Sequence, residues 1–160
     1  MEIGVFNGDG IAKMARAYPD KKFYAVDPFI EDGHTVASSG TGKGSKMTAQ
    51  KENYLNNTRG ITNLELFETT SQEFYKNLKN PAELDIDTVV IDGNHHYESV
   101  VNDFELAMYL LGSNQGIIVV DDTDVPGVAK ALNEFVQTNL GNVTVSNSHG
   151  STKLVEIKGQ

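Results

Sequence analysis

The stretches TVVIDG (88–93) and GIIVVDD (116–122) each run from apolar residues into acidic ones. Short Val/Ile runs bounded by turn residues are typical of strands buried on both faces, as parallel strands are when helices cover the sheet. In open α/β sheets the ligand crevice lies outside the carboxyl ends of the strands. We therefore expect Asp92, Asp121 and Asp122 to meet at one edge of a crevice.

The rest of the chain alternates strand and helix patterns, which indicates βαβ units and a parallel sheet. The predicted strands are 1–6, 22–26, 64–68, 87–91 and 116–120, and the predicted helices are 11–18, 47–56, 71–78, 97–111 and 125–140. Ser71 is a candidate N-cap for the third helix. Strands 143–147 and 153–157, joined by a polar turn, predict a terminal antiparallel hairpin. The pattern predicts an α/β fold with a mostly parallel seven-stranded sheet and helices on both faces.

Length and composition favour a single domain over residues 1–160. With 39% hydrophobic residues the chain can bury a core of ordinary size. Residues 29–46 are rich in glycine, serine and threonine, which predicts a mobile loop rather than core. The Gly-Lys-Gly-Ser segment in this loop does not meet the spacing of a phosphate-binding loop, and no strand precedes it.

The charge and the cysteine count exclude several functions. Thirteen basic and twenty-two acidic residues give a formal charge of −9, which argues against nucleic acid or an anionic membrane as the main partner. The absence of cysteine excludes disulfides, a thiolate metal site and a thiol nucleophile. The apolar runs are too short to span a membrane and no secretory leader is visible, so we expect a cytoplasmic protein.

The first predicted strand leads into a glycine turn in EIGVFNGDG (2–10). Glycines in a strand-to-helix turn let a ligand approach the backbone, and the following helix N-terminus favours a polar or anionic group. The spacing is not Gly-x-Gly-x-x-Gly, which disfavours a nicotinamide-dependent dehydrogenase. Asp27 ends the second strand, where an acid accepts hydrogen bonds from a ribose diol in nucleotide-binding α/β domains. An adenosine-type ligand is therefore predicted, with plain turn glycines as the alternative.

Several of the polar residues also have simpler explanations. Asp121 and Asp122 could be N-caps or turn formers before the helix at 125. Asp103 lies in a helix with an otherwise intact apolar stripe, so a solvated face is expected for it. His95 and His96 are adjacent and would point in different directions, so at most one of them is expected to be functional and His96 is expected at the surface.

Four stretches together resemble a known family. EIGVFNGDG (2–10), FYAVDPF (23–29), IDGNHHYESVVNDFE (91–105) and GIIVVDD (116–122) are similar to the class I S-adenosylmethionine-dependent methyltransferases. Within that class they most resemble the metal-dependent macrocin-type sugar and antibiotic O-methyltransferases. The resemblance runs from residue 2 to about residue 136. It implies the Rossmann-like doubly wound fold of that class, S-adenosylmethionine as cofactor and an enzyme.

The resemblance also implies roles for individual residues. The implied cofactor contacts are Glu2, Gly4 and Gly8 in the methionine-binding turn, Asp27 on the ribose, Thr70 or Ser71 on the adenine, and Asp92. The implied ligands of a divalent ion, usually magnesium, are Asp92, Asp121 and Asp122. Asp92 is implied as a general base, and His95 would face the substrate.

These roles agree with the chemistry of methyl transfer to a hydroxyl. An alcohol is a poor nucleophile until its proton is removed or its oxygen lies against a cation. An oxygen-rich acidic site suits Mg²⁺. The leading hypothesis is a metal-assisted O-methyltransferase acting on a small hydroxylated molecule or sugar. The alternative is a non-catalytic module that binds S-adenosylmethionine or a nucleotide and acts through a partner.

The first strand lies at the very start of the chain, whereas the resembling enzymes carry helices before it that cover the cofactor. We therefore expect that residues 29–45 provide this cover, that a second subunit provides it, or that the chain is a minimal or truncated relative. A homo-oligomer is one way to supply it.

Overall fold

Seven strands and five α-helices alternate along the chain. The computed structural model describes residues 1–30 and 46–159, and most of the loop predicted at 29–46 lies outside these ranges. The elements are β1 (Glu2–Ile3), α1 (Asp9–Ala17), β2 (Phe23–Val26), α2 (Lys46–Asn57), β3 (Leu64–Phe67), α3 (Ser71–Asn77), β4 (Thr88–Ile91), α4 (Tyr97–Leu111), β5 (Gly116–Val120), α5 (Pro126–Thr138), β6 (Val143–Asn147) and β7 (Lys153–Ile157). A short 3₁₀ helix, Pro81–Leu84, precedes β4.

All seven strands form one sheet in the order β3-β2-β1-β4-β5-β7-β6. The strands β3, β2, β1, β4 and β5 are parallel to one another, whereas β7 is antiparallel to both β5 and β6. This confirms the predicted α/β fold with its terminal hairpin. From β1 the strands β2 and β3 are added on one side of the sheet, and β4 and β5 are added on the other, so the order switches between β1 and β4. Ligands of such sheets bind at the carboxyl ends of the strands beside this switch point.

Two apolar layers enclose the sheet. The larger one packs α3, α4 and α5 against one face, and the smaller one packs α1 and α2 against the other. The alternation is visible in β2, where Tyr24 and Val26 belong to the larger layer and Ala25 to the smaller one. Because successive side chains of a strand point to opposite faces, helices cover both sides as predicted.

Most predicted boundaries agree with the structure, and two need correction. The bounds of α4, β5, β6 and β7 are those predicted from the sequence. The first strand was predicted over residues 1–6, but the positive φ angles of Gly4 (81°) and Phe6 (50°) end it at Ile3. Ser71 is not an N-cap: it is already helical, and the hydroxyl of Thr70 accepts the capping hydrogen bond from the amide of Glu73.

Gly4 allows the backbones after β1 and β4 to touch. A Cβ on Gly4 would lie 2.3 Å from the carbonyl oxygen of Asp92 and 2.5 Å from the Cα of Gly93. The parallel pairing of β1 and β4 brings these segments together, since the amide of Asp92 donates to the carbonyl oxygen of Ile3 at 2.9 Å. Only glycine fits between them.

We expect Gly4→Ala to reduce the free energy of unfolding by about 3 kcal/mol or more, because the new methyl group must displace backbone as well as adopt a left-handed φ. Gly60→Ala is the matched control: its φ is also strongly positive, 78°, but nothing lies within 4 Å of the added Cβ. Chemical denaturation should show a loss of only about 1 kcal/mol for this control. Equal losses in the two variants would contradict the steric argument.

Candidate active site

Three carboxylates meet at the carboxyl edge of the sheet, as predicted. Asp92 follows β4, and Asp121 and Asp122 follow β5, which is the parallel neighbour of β4. The amide of Asp121 donates to Ile91 at 3.1 Å, so the ladder between the two strands continues to the acids. The acids therefore face one another across two adjacent strand ends.

A histidine lies close enough to two of these acids for the three side chains to bind one metal ion. Asp92, His95 and Asp122 each offer one ligand atom, and these atoms lie within 4.8 Å of one another. The Nε2 of His95 lies 3.1 Å from Oδ2 of Asp122. Two carboxylate oxygens and an imidazole nitrogen are donors for a divalent cation. The predicted ligand set named Asp121 rather than His95, and the structure brings His95 to this group.

Asp121 is held by the hairpin. Its Oδ1 accepts a hydrogen bond of 2.6 Å from the hydroxyl of Thr152. Beside it, the amide of Thr123 donates to the carbonyl of Ser151 at 3.1 Å, and the Thr123 hydroxyl donates to the same oxygen. The turn between β6 and β7 is thereby fastened to the acidic loop. The role of Thr152 was not predicted, because nothing in the sequence around it indicates a partner 31 residues away.

The loop after β5 has an unusual backbone at Asp122, whose φ is +50°. The N-cap of α5 is Val125, which makes no side-chain capping bond, so neither acid caps this helix. The first turn of α5 packs closely on the site instead, since a Cβ on Gly127 would lie 2.3 Å from the carbonyl oxygen of His95. The segment from Asp92 to His95 is therefore held between Gly4 on one side and Gly127 on the other.

The carboxyl group of Asp92 holds its proton unusually strongly. Desolvation by the surrounding protein atoms raises its pKa to about 7, and the charges of Asp121 and Asp122 add to this effect. The side chain remains open to solvent from the crevice side. A pKa near neutrality is suitable for a general base, and a bound cation would offset the repulsion between the acids.

Glu2 and the two glycines predicted in the methionine-binding turn lie beside this cluster. Burial raises the pKa of Glu2 to about 7, Asp92 and Asp27 raise it further, and the amine of Met1 opposes them. Gly8 has a φ of +74°, and a Cβ there would lie 2.6 Å from a ring carbon of Tyr54 on α2. Packing against this tyrosine is thus enough to require glycine at position 8.

Asp27 organises the turn after β1. Its Oδ2 accepts from the amides of Val5 at 2.9 Å and Phe6 at 3.3 Å, and its Oδ1 accepts from the amide of Phe29 at 2.8 Å. A carboxylate has about four acceptor positions, so one position remains for a further donor such as a ribose hydroxyl. The contact with a ribose was predicted from the sequence, whereas these three bonds to backbone amides were not.

The residues predicted at the adenine have different surroundings. The hydroxyl of Thr70 is engaged as the cap of α3. The hydroxyl oxygen of Ser71 accepts from the amide nitrogen of Asn102 at 3.4 Å, and Ser71 also hydrogen-bonds the carboxylate of Asp103. Ser71 is therefore the one of the two that is linked to α4.

Asp103 was expected on a solvated face, and this expectation is wrong. Its relative exposure is 2%, and its Oδ1 has no hydrogen-bond partner. Burial raises its pKa to about 6, although hydrogen bonds with Ser71 and Asn102 oppose the rise. Its position could have revealed this, because Val100, Asp103, Phe104 and Ala107 follow the i, i+3, i+4, i+7 spacing of a buried helix face.

Comparison with known proteins gives a family match and several similar structures. A family model described as a methyltransferase domain matches residues 1–123. The O-methyltransferase NovP is 18% identical, with a TM-score of 0.65 over 99% of this chain and 71% of that chain. CalS11, a TDP-rhamnose 3′-O-methyltransferase of calicheamicin biosynthesis, is 19% identical, with a TM-score of 0.60 over 99% and 70%. SAH-bound PaMTH1 from Podospora anserina is 16% identical, with a TM-score of 0.62 over 99% and 70%. No curated protein shows significant sequence similarity.

Asp103 should make the stability of the protein depend on pH. The folded protein holds this proton to a higher pH than the unfolded chain does. Protonation of Asp103 therefore adds to the free energy of unfolding at low pH, and this contribution is lost as the pH rises from about 4 to about 6. The difference between the ordinary pKa of 3.8 and the folded value of about 6 corresponds to about 3 kcal/mol. Between pH 3 and pH 8, wild type should therefore lose about 3 kcal/mol more than Asp103→Asn in urea denaturation. Parallel stability curves for the two proteins would contradict this assignment.

We expect Thr152→Val to lower the free energy of unfolding by about 1 to 2 kcal/mol, because the Asp121 carboxylate loses a charge-assisted hydrogen bond. Thr144→Val on β6 is the control, since Thr144 is exposed and the shape change is the same. Its effect should stay within about 0.5 kcal/mol. The idea fails if denaturation gives the same midpoint for both variants.

Proposed function

We propose that this chain, which belongs to the methyltransferase domain family matched by its residues 1–123, transfers a methyl group from S-adenosylmethionine to a hydroxyl oxygen of a small molecule or sugar, with the help of a divalent cation. Methyl transfer from S-adenosylmethionine follows from the family and the fold. The hydroxyl acceptor and the cation are our inference. The observation that supports them is the group of Asp92, His95 and Asp122 in the crevice beside the β1–β4 switch point.

The residues of this group fit a divalent cation: the two carboxylates suit Mg²⁺, and the imidazole suits a transition-metal ion. Two carboxylates lie together in a crevice where Asp121 adds a third negative charge. Desolvation by the surrounding protein atoms is the main cause of the raised pKa of Asp92, and the unbalanced charges of Asp121 and Asp122 raise it further. A cation bound by Asp92, His95 and Asp122 would restore the balance. Asp121 would stay in the outer shell, where Thr152 holds its carboxylate in one orientation.

The chain's own residues can prepare the acceptor. When bound, the cofactor supplies an electrophilic methyl group and the cation supplies a positive charge that favours loss of a proton from a nearby hydroxyl. Asp92 is the residue that takes this proton, because its carboxylate is exposed in the crevice next to the place where the cation and the acceptor hydroxyl would meet. The imidazole of His95 is held next to Asp122 and contacts the acceptor.

The remaining edge of the crevice suits the cofactor. Glu2 lies in β1, just before the glycine turn, and binds the methionine amine, with Gly4 and Gly8 shaping the backbone of that turn. Asp27 accepts from a ribose hydroxyl with its remaining acceptor position. Ser71, which begins α3 after β3, lies beside the adenine. These contacts are the proposed equivalents of the cofactor contacts predicted from the sequence.

A small hydroxylated substrate agrees with the charge of the protein. A formal charge of −9 disfavours binding to a phosphate backbone, and no helix within residues 1–30 or 46–159 is long and apolar enough to cross a membrane. Two of the similar structures are named as O-methyltransferases, one of them for a TDP-sugar. We infer that the acceptor is a sugar or a glycosylated small molecule, held by vicinal hydroxyls at the cation.

Asp92→Asn tests the cation and the base together. Titration with MgCl₂ by calorimetry should show saturable binding to wild type and a loss of affinity of about ten-fold or more in the variant, because one charged ligand is removed. Methyl transfer to an accepted substrate should fall by about 10² or more, because the base is also lost. Chelation by EDTA should abolish wild-type transfer.

Asp124→Asn is the matched control for this experiment. Asp124 belongs to the same acidic loop, is exposed and lies outside the group of three. The substitution removes the same charge from the loop, so a general electrostatic effect would appear in both variants. Equal Mg²⁺ affinity in the two variants, or full activity in EDTA, would refute the metal-assisted mechanism and leave the methyltransferase assignment standing.

A further inference from the structure

Asp103 is an anomaly in the core. It lies in the middle of α4, 2% exposed, on the face that packs against the larger apolar layer. Among the described residues it is the buried side chain that retains an oxygen without a hydrogen-bond partner. Buried polar atoms are nearly always paired, because an unpaired one costs free energy. An acid at this position destabilises the core, so we look for a polar interaction that an apolar residue could not make.

The other carboxylate oxygen lies between two parts of the crevice wall. Ser71, the first residue of α3, hydrogen-bonds the Asp103 carboxylate, and Asn102 next to it donates to the Ser71 hydroxyl at 3.4 Å. The Oδ2 of Asp103 also lies 3.7 Å from the position that a Cβ on Gly93 would take. Asp103 is thus hydrogen-bonded to the start of α3 and lies close to the loop that follows β4.

Both of these segments border the crevice. Gly93 comes directly after Asp92, and Gly4 on the opposite side contacts the backbone of the same pair. Ser71 opens the helix that follows β3, at the same edge of the sheet. A ligand at the switch point therefore has one of these segments on each side.

We infer that Asp103 is a positioning residue for the cofactor: it holds the first turn of α3, through Ser71, at a fixed place beside the loop at Gly93, and thereby sets the width of the crevice that receives the adenosine. The inference rests on the proposed function, since it takes the crevice to be the S-adenosylmethionine site. Asp103 itself does not touch the ligand, because its oxygens are sealed from solvent. It acts through Ser71.

The test compares two substitutions that differ in one property. Asp103→Leu removes both oxygens, whereas Asp103→Asn keeps a carbonyl oxygen that accepts from Ser71 but removes the charge. Binding of S-adenosylhomocysteine is measured by calorimetry at pH 8, and the unfolding temperature is measured under the same conditions. Glu105→Gln is the matched control, since Glu105 lies on the exposed face of the same helix.

We expect Asp103→Leu to weaken S-adenosylhomocysteine binding by about ten-fold and Asp103→Asn to restore most of the affinity, because the link to Ser71 is then retained. At pH 8, Asp103→Leu and Asp103→Asn should unfold at temperatures no lower than that of wild type. If Asp103 only stabilised the fold, both substitutions would lower the unfolding temperature. Ser71→Ala should weaken binding to a similar degree, and the double variant Ser71→Ala/Asp103→Leu should bind no more weakly than Asp103→Leu alone. Glu105→Gln should bind as wild type does.

Three results would overturn the inference: wild-type affinity in Asp103→Leu, equal losses in Asp103→Leu and Asp103→Asn, or fully additive losses in the double variant. These leave the proposed function intact, because wild type still binds. The absence of saturable binding to wild type, with or without MgCl₂, would instead remove the cofactor assignment and the inference with it.

Discussion

The backbone contact at Gly4 is the constraint on which the site depends. The turn after β1 and the loop after β4 approach so closely that no side chain fits between them, and this approach sets the position of Asp92. On the far side, the first turn of α5 presses against the carbonyl of His95, again at a glycine, Gly127. A segment confined between two backbones has little freedom, so the backbone that carries Asp92 and His95 is already in place before any ligand arrives.

Several carboxylates lie at the same edge of the sheet, and hydrogen-bond donors stabilise two of them. Asp27 receives three backbone amides and Asp121 receives the hydroxyl of Thr152. Desolvation and, to a lesser extent, the charges of Asp121 and Asp122 raise the pKa of Asp92. Carboxylates that are satisfied by donors serve as structural anchors, whereas the one with unbalanced charge has the properties of a base and a cation ligand.

Sequence patterns predicted the fold well where the signal was local. The apolar period of α4 and the short Val/Ile run of β5 specified their bounds, because burial of one helix face or of a whole strand leaves a regular trace in the chain. The first strand was predicted too long, since the positive φ angles at Gly4 and Phe6 are a response to the neighbouring segments. The cap of α3 was misplaced by one residue for a related reason: Thr70 and Ser71 both have a capping hydroxyl, and only the backbone conformation distinguishes them.

The sequence by itself determined which acids follow which strands, and hence that Asp92, Asp121 and Asp122 come together, because parallel strands always end at the same edge. It also determined the family, through the glycine turn and the Asp-Gly and Asp-Asp endings. Only the tertiary structure decided how those acids are divided: His95 joins Asp92 and Asp122, Thr152 holds Asp121, and Asp103 lies sealed beside Ser71. These pairings join residues that are distant in the chain, or side chains whose burial depends on the packing of a neighbouring helix, and neither property leaves a periodic signal in the sequence.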